Sequence, residues 1–404
     1  MSNAPRAQQI PRNWGDDDTN CHILHVDMDS FYAQVEMLEH PQYKNKPIIV
    51  GHSQPRSVVT AATYDLRKLG IRAGMPVSQA TRIAPHAIVT ASPRGVYQQY
   101  SQQVMEVLST ITPVVEQISI DEAFLDISGA RLRLGNALNI AALIRSEIRK
   151  KVGLPASVGI AENKSVAKIA SAHAKPDGVL LIPANSTAEF LRLLPVGAIW
   201  GVGKQTQRAL EKYGIETVAQ LADLPIRQLE RIVGKAAAYS LHRLANGIDT
   251  RKVGTPAGEK SISTENTFAT DLTDPKLLHK LIIEYAHDCA KRLRQGGWVC
   301  WTVSIKVRAA DFTTVTRSRT LRRPTDLGTE VAEAAQDLLN VLGIPRGGVR
   351  LLGVKVESLQ AAAAGVATFL DEENLNLEKT ERSMDKVHEK FGKDALRPAS
   401  LLGD

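Results

Sequence analysis

The sequence predicts an α+β chain of several domains, and three observations lead there. Apolar strand runs and helical patterns alternate from Cys21 to about Ile182, which suits a sheet carrying helices better than a bundle. Thr187 to Asn246 then turns almost wholly helical, punctuated by Gly201, Gly203, Gly214 and Gly234. Alternating runs return beyond Asp249 to Gly258, whose Gly254, Pro256 and Gly258 read as a linker. The chain has 404 residues, 43% of them hydrophobic, enough for roughly two to four domains.

In chain order, Cys21 to Met28 reads as a buried strand that delivers Asp27 at its end. A helix follows from Phe31 to Leu38, then strands over Pro47 to Gly51 and Ser57 to Ala61, and a helix from Tyr64. Val96 to Ile111 is helical and closed by Pro113, and Val114 to Asp126 reads as two strands meeting at an acidic turn. Leu134 to Val152 has the period of one amphipathic helix, and Ala156 to Ile160 that of a strand. Past the linker, Trp298 to Arg308, Thr313 to Leu321 and Val349 to Leu359 alternate as strands, with Asp326 to Leu342 helical between them. Met384, Val387 and Phe391 at helical spacing predict a closing helix that packs on something.

Fifty Lys and Arg against 43 Asp and Glu leave a charge of +7, a bias suited to a polyanionic partner. Arg251 to Gln360 alone holds 17 basic and 12 acidic residues. Three cysteines without a C-x-x-C pair suggest neither a disulfide framework nor a zinc site. The polar start, Met1 to Asn20, lacks a signal-peptide core, and no apolar run is long enough to span a bilayer. A soluble cytoplasmic protein is expected.

Two segments carry the chemistry. His25-Val-Asp27-Met-Asp29-Ser-Phe31-Tyr32-Ala33 and Ser119-Ile-Asp121-Glu122-Ala123-Phe124-Leu125-Asp126 each set carboxylates at the end of an apolar strand. One such acid alone is an ordinary turn or cap residue. Two clusters together repel unless a hard divalent cation neutralises them, and magnesium takes oxygen ligands from acids, waters and substrate phosphates. Further along, Tyr64 and Arg67 stand three apart on one helix face, where a phenol and a forked guanidinium suit a triphosphate. Taken alone, they read as a solvated helix face. Trp200-Gly201-Val202-Gly203-Lys204 opens a helix whose backbone N–H groups can hold a phosphate. In Thr314 to Leu321, alternation sends Arg317 and Arg319 to one side of a strand. No Walker A spacing can be drawn.

These blocks, with Ser157 to Gly178 between them, resemble in order the Y-family DNA polymerases of the DinB or polymerase IV type, over roughly Ile23 to Leu359. The resemblance implies a right hand with a ferredoxin-like palm (21–30 and 94–183), small fingers (31–93) and a helix-hairpin-helix thumb (184–248). A linker (249–259), an α+β little finger (260–360), a flexible start (1–20) and a tail with a helix (361–404) complete it. By the same match Asp27, Asp121 and Glu122, assisted by the Met28 carbonyl, hold two magnesium ions, with manganese able to substitute. Phe31, Tyr32, Tyr64, Arg67 and Lys175 meet the incoming nucleotide, with Tyr32 as steric gate; Gly201, Gly203, Lys204, Arg317 and Arg319 meet DNA. Asp29 and Asp126 are expected to be structural, His173 a packed helix residue, and Lys168 a lesser player near the palm surface. One departure is Ala61, where the family often carries a hydroxyl three residues before the Tyr.

The implied reaction is attack of a primer 3′-hydroxyl on a deoxynucleoside triphosphate with release of pyrophosphate. Fingers of about 60 residues imply a roomy site and error-prone copying past damage. The partners implied are primer-template DNA and dNTP, for a monomer acting in the bacterial cytoplasm at the nucleoid, with no membrane. No clear clamp-binding peptide is visible, because Gln360 runs into alanines and Phe369-Leu370 lacks the pattern. The runner-up is a catalytically silent DNA-binding paralogue, against which the intact acid trio speaks. A nucleotide cyclase on a similar palm is more remote, given the helical and basic late domains.

Overall fold

The computed structural model describes residues 10–254, 258–362, 372–392, 395–396 and 401. They fall into two units, one taking the chain up to Ser53 and from Ser57 to the linker, the other Gln54–Arg56 and the chain beyond the linker.

The first unit is built on β1 (Ile23–Met28), where alternation points Leu24, Val26 and Met28 to one face and His25 and Asp27 to the other. After β1 come α1 (Phe31–Glu39), β2 (Ile48–Val50), β3 (Ala61–Ala62), α2 (Tyr64–Lys68), α3 (Val77–Ile83), β4 (Ile88–Thr90) and α4 (Arg94–Ile111). They lead to β5 (Val115–Gln117), β6 (Glu122–Asp126), α5 (Arg131–Leu134), α6 (Ala137–Val152), β7 (Ala156–Ala161), α7 (Lys164–Ala174) and β8 (Val179–Leu181). The main sheet runs β5-β6-β1-β7-β8, with β1 antiparallel to both neighbours. One face buries Leu24, Val26 and Val158 with Leu108 of α4 and Ile144 of α6. The other buries Ile23 and Phe124 under Val166 and Ala170 of α7. That helix lies so close that a Cβ on Gly159 would sit 2.0 Å from the Ala167 carbonyl oxygen and 2.3 Å from the Ser171 nitrogen.

Three expectations change here. The strand expected over Ser57 to Ala61 is reduced to β3, because Val59 and Ser57 bond instead to Met75 and to Val77 at the start of α3. The helix expected over Leu134 to Val152 is present as α6 but starts later, because Gly135 at φ +90° separates it from the short α5 and Asn136 then caps α6 by accepting from the Asn139 nitrogen. The start expected to be flexible makes contacts at Ile10, Trp14 and Asp18, while its other described residues are exposed. Trp14 stands edge-on to Phe190 at 5.7 Å, and Asp18 pairs with Arg131 at 2.7 Å while accepting from the Ala137 nitrogen. An indole that can be buried and an acid at a helix N-terminus outweigh the polar composition. Residues 1–9 lie outside the described residues.

Helices α8 (Thr187–Arg192), α9 (Lys204–Glu211), α10 (Val218–Asp223), α11 (Ile226–Val233) and α12 (Lys235–Ala245) follow. Their Phe190, Leu210, Leu221, Leu229 and Leu241 continue the core beneath α7. The start of the expected linker is bound rather than free, since Asp249 accepts from the Ser165 nitrogen at 3.0 Å and the Gly254 nitrogen donates to Glu116 at 3.2 Å.

The second unit holds β9 (Ser261–Leu272), α13 (Pro275–Gln295), β10 (Trp298–Ala309), β11 (Thr314–Thr325), α14 (Gly328–Leu342), β12 (Val349–Ala361) and α15 (Glu372–Phe391). Its antiparallel sheet runs β11-β10-β12-β9, and α13 and α14 cover the face lined by Val303, Ile305, Val354 and Val356. The sequence reading assigns no element over β9 or α13. In β9 only Ile262 and Phe268 are buried, so no alternation marks it. The closing helix α15 is anchored by Glu381, which accepts from the Gly328 and Thr329 nitrogens at the start of α14 and pairs with buried Arg294 at 2.7 Å.

Candidate active site

The register sets the site. Asp27 lies directly opposite both Glu122 on β6 and Ser157 on β7, so the three side chains share the face covered by α7. Asp121 occupies the turn before β6; its carbonyl accepts from the Met28 nitrogen at 2.9 Å, and its carboxylate accepts from the Ser119 hydroxyl at 2.6 Å. The two acidic segments named from sequence therefore meet at one end of the central strands.

Cations close over these acids. Lys175, 5% exposed, donates to Asp27 Oδ1 at 2.5 Å and to the Met28 carbonyl at 3.2 Å. Lys168 on α7 pairs with Glu122 at 2.6 Å. His25, fully buried two residues before Asp27, faces Ser171 at 2.7 Å through Nδ1 and Glu122 at 3.4 Å through Nε2. Burial pushes the His25 pKa down despite Glu122. For Glu122 burial acts upward, but His25 and Lys168 outweigh it and hold the carboxyl far below the usual range.

The donor set suits a hard cation. Asp27 Oδ2 is buried and accepts no hydrogen bond, a costly state for a carboxylate oxygen. Donor atoms of His25, Asp27 and Glu122 lie within 4.8 Å of one another. An ammonium already rests on Asp27 and the Met28 carbonyl, two of the expected ligands. Oxygen donors predominate, as magnesium requires.

Other expected residues gather around this centre. Tyr64 donates to Asp29 at 2.8 Å, and the Arg67 guanidinium lies 5.0 Å from the Tyr64 ring centre while its Nε donates to the Ala62 carbonyl. Asp29 also accepts from the Ser157 hydroxyl and the Asp177 nitrogen, so its structural role is to set Tyr64 against the sheet. Tyr32 is half-buried at the start of α1, and burial, then the Asp121 charge, raises its pKa. Phe31 is fully buried in the core, which leaves its backbone as the part able to meet a nucleotide. His173 packs edge-on to Phe190.

The turn Gly201 to Gly203, with Gly201 at φ +100°, opens α9 as expected. It borders a cavity of about 460 Å³ with Lys168, His173, Trp200 and Lys204. Trp200 stacks on Phe124 at 5.8 Å and carries the Arg251 guanidinium at 4.1 Å from its ring centre. Arg317 and Arg319 belong to the second unit and the acids to the first. Their partners across the sheet are Ile305 and Val303, so they emerge on the helix side of edge strand β11, and Arg319 pairs with Asp337 of α14 at 2.8 Å. Gln360 ends in a bond from the Trp301 indole at 2.9 Å, and Phe369-Leu370 lies outside the described residues.

Sequence reasoning did not anticipate His25 and Lys168 as partners of Glu122. The signal for His25 was present, since His25 and Asp27 two apart on a strand must share a face. The Lys168 contact depends on how closely α7 approaches, which no local pattern reveals. Among the described residues no helix is long and apolar enough to cross a membrane.

A family model described as the impB/mucB/samB family matches residues 26–172, and that of its C-terminal domain matches 259–368. A model described as the DNA polymerase-iota thumb domain matches 197–249. The chain is 37% identical to a DNA polymerase IV of Desulfatibacillum aliphaticivorans, over 95% of this chain and 97% of that one. Among solved structures, the Y-family DNA polymerase chimera Dbh-Dpo4(243-245)-Dbh matches with a TM-score of 0.75 at 29% identity, over 83% of this chain and 98% of its own. The insertion ternary complex of Dbh DNA polymerase matches over the same shares with a TM-score of 0.60 at 28% identity. Likeness along nearly the whole chain, in sequence and in fold, makes this protein a member of the Y family of DNA polymerases, of the DinB or polymerase IV type, and so a DNA-directed DNA polymerase.

Proposed function

We propose that the enzyme extends a primer 3′ end along a DNA template, with low fidelity and past damaged bases, at a magnesium site made by Asp27, Asp121, Glu122 and the Met28 carbonyl. The observation that carries this reading is the buried, unbonded Asp27 Oδ2 set directly across the sheet from Glu122. Two magnesium ions bound there, or manganese in their place, would supply activation of the primer hydroxyl and neutralisation of the departing pyrophosphate.

The chain's own groups supply positioning. Asp27 and Glu122 are held from adjacent strands, and His25 and Lys168 keep Glu122 ionised. Lys175 is the counter-ion of Asp27 here, and with a metal held by that acid its charge would be available to the triphosphate. Tyr64, set by Asp29, and Arg67 meet the same triphosphate, and Tyr32 lies under the sugar as steric gate. The Phe31 backbone completes the pocket. DNA phosphates are held by the Gly201 and Gly203 turn with Lys204 and by Arg317 and Arg319. The domain assignment is palm, fingers and thumb for the first unit and little finger for residues 260–360. The partners are primer-template DNA and dNTP, a reading supported by likeness to the insertion ternary complex of Dbh DNA polymerase. The enzyme acts as a monomer in the bacterial cytoplasm, a reducing compartment that suits its buried free cysteines.

Primer extension with purified protein, with and without magnesium, tests the reading. Asp121→Ala or Glu122→Ala abolishes extension while primer-template binding is kept, because the acids serve the chemistry and basic groups elsewhere serve the backbone. Wild-type extension rates in either variant would overturn it.

A further inference from the structure

We infer that Glu36 and Tyr97 form a buttress that sets how strongly the enzyme rejects ribonucleotides, by denying the Tyr32 ring room to retreat. The inference rests on the reading of Tyr32 as steric gate.

A gate that works by collision is only as selective as it is rigid, because a ring that can slide aside relieves the clash with a 2′-hydroxyl. Tyr32 has the Phe31 ring at 5.5 Å and the Tyr97 ring at 4.8 Å, both edge-to-face. Phe31 is wholly buried, so it cannot yield. Tyr97 comes from a different helix, α4, and is 5% exposed. Its place is fixed at the far end of the ring, where the hydroxyl donates to Glu36 Oε1 and accepts from the Ser92 nitrogen at 3.0 Å.

Glu36 stands one helical turn beyond Tyr32 on α1, so gate and anchor share a face of one helix. It has no exposed surface, an expensive place for a carboxylate unless its oxygens are satisfied. They are satisfied by three donors from outside α1: the Tyr97 hydroxyl, the Ser92 nitrogen at 2.6 Å and the Thr90 hydroxyl at 3.1 Å. The carboxylate thus ties the gate's own helix to the end of β4, to the approach to α4 and to the ring behind the gate. Both are positioning residues that act through Tyr32.

The test is steady-state insertion of UTP and dTTP opposite adenine, read as the ratio of kcat/KM, in Tyr97→Phe, Glu36→Gln, Tyr32→Ala and the double variant Tyr32→Ala with Tyr97→Phe. Tyr97→Phe keeps the ring and removes its tether, and Glu36→Gln keeps the shape and removes the charge. Each relaxes the preference for dTTP by about fivefold, the worth of one net hydrogen bond. In the Tyr32→Ala background the Tyr97 substitution changes the ratio no further, since the ring it braced is gone. A merely structural defect would lower both substrates alike and leave the ratio unmoved. An unchanged ratio in both buttress variants, alongside a relaxed ratio in Tyr32→Ala, would overturn the inference while leaving the gate standing. An unchanged ratio in active Tyr32→Ala would remove the gate itself, and the buttress with it.

Discussion

Asp27 and Glu36 are both buried acids, and their surroundings give them opposite uses. Asp27 keeps one oxygen unbonded while a lysine pairs with the other. Glu36 has both oxygens engaged by three donors, which makes it a fixture. Burial alone would raise the Glu36 carboxyl, but the hydrogen bonds from Tyr97, Ser92 and Thr90 outweigh it and hold the pKa below the ordinary 4.5. A carboxyl that is more acidic folded than unfolded stabilises the fold fully above its unfolded value, and that contribution is lost as pH falls through the folded one. Wild-type stability should therefore fall on acidification below 4.5, and Glu36→Gln, which cannot titrate, should flatten part of that fall. Urea midpoints measured from neutral pH downward check it; parallel curves for the two proteins would contradict it.

Elements here are joined by groups that allow close approach or cap a helix from elsewhere in the chain. Gly159 lets α7 lie against β7, and α7 brings Lys168 and Ser171 to the acids. Gly159→Ala drives a Cβ into backbone atoms that cannot rotate away, so it should cost about 3 kcal/mol in urea unfolding and weaken extension as α7 shifts. In the second unit, Glu381 of α15 caps α14 and pairs with Arg294, each 4% exposed. Glu381→Ala leaves two helix N–H groups without their acceptor and takes one of two carboxylates from the buried Arg294, which keeps Asp385 and the Asp326 carbonyl. A loss of about 3 kcal/mol is expected for that unit, followed by its own unfolding transition.

For the whole molecule the governing interaction is charge against a polyanion. The net +7 gives a general attraction, and individual phosphate contacts show in how binding responds to salt. Arg319 pairs with Asp337 on the surface, both half or more exposed, and such a pair is weak enough to be exchanged for a phosphate. Arg317→Ala with Arg319→Ala should weaken primer-template binding equally for unrelated sequences and lower the salt slope by about 2, one for each phosphate no longer held. Fluorescence anisotropy across a salt series measures it, and an unaltered slope would place the DNA-binding groups elsewhere.

The sequence by itself determined the α+β class, the helical middle segment and the placing of Asp27, Asp121 and Glu122 at strand ends, because period, turn chemistry and strand-end carboxylates are local properties. It also held the clue to His25, two residues from Asp27 on the same strand face. Other features were not local. The break at Gly135 competes with an unbroken apolar period, and β9 shows no alternation because its outer side chains are polar on both faces. The packed Trp14 and Asp18 owe their order to Phe190 and to the start of α6, far away in the chain. Only the tertiary structure decided that Lys175 rests on Asp27, Lys168 on Glu122 and Tyr97 on both Glu36 and Tyr32. Each of those pairs joins residues from separate elements, and their meeting depends on sheet register and helix approach, which long-range packing sets.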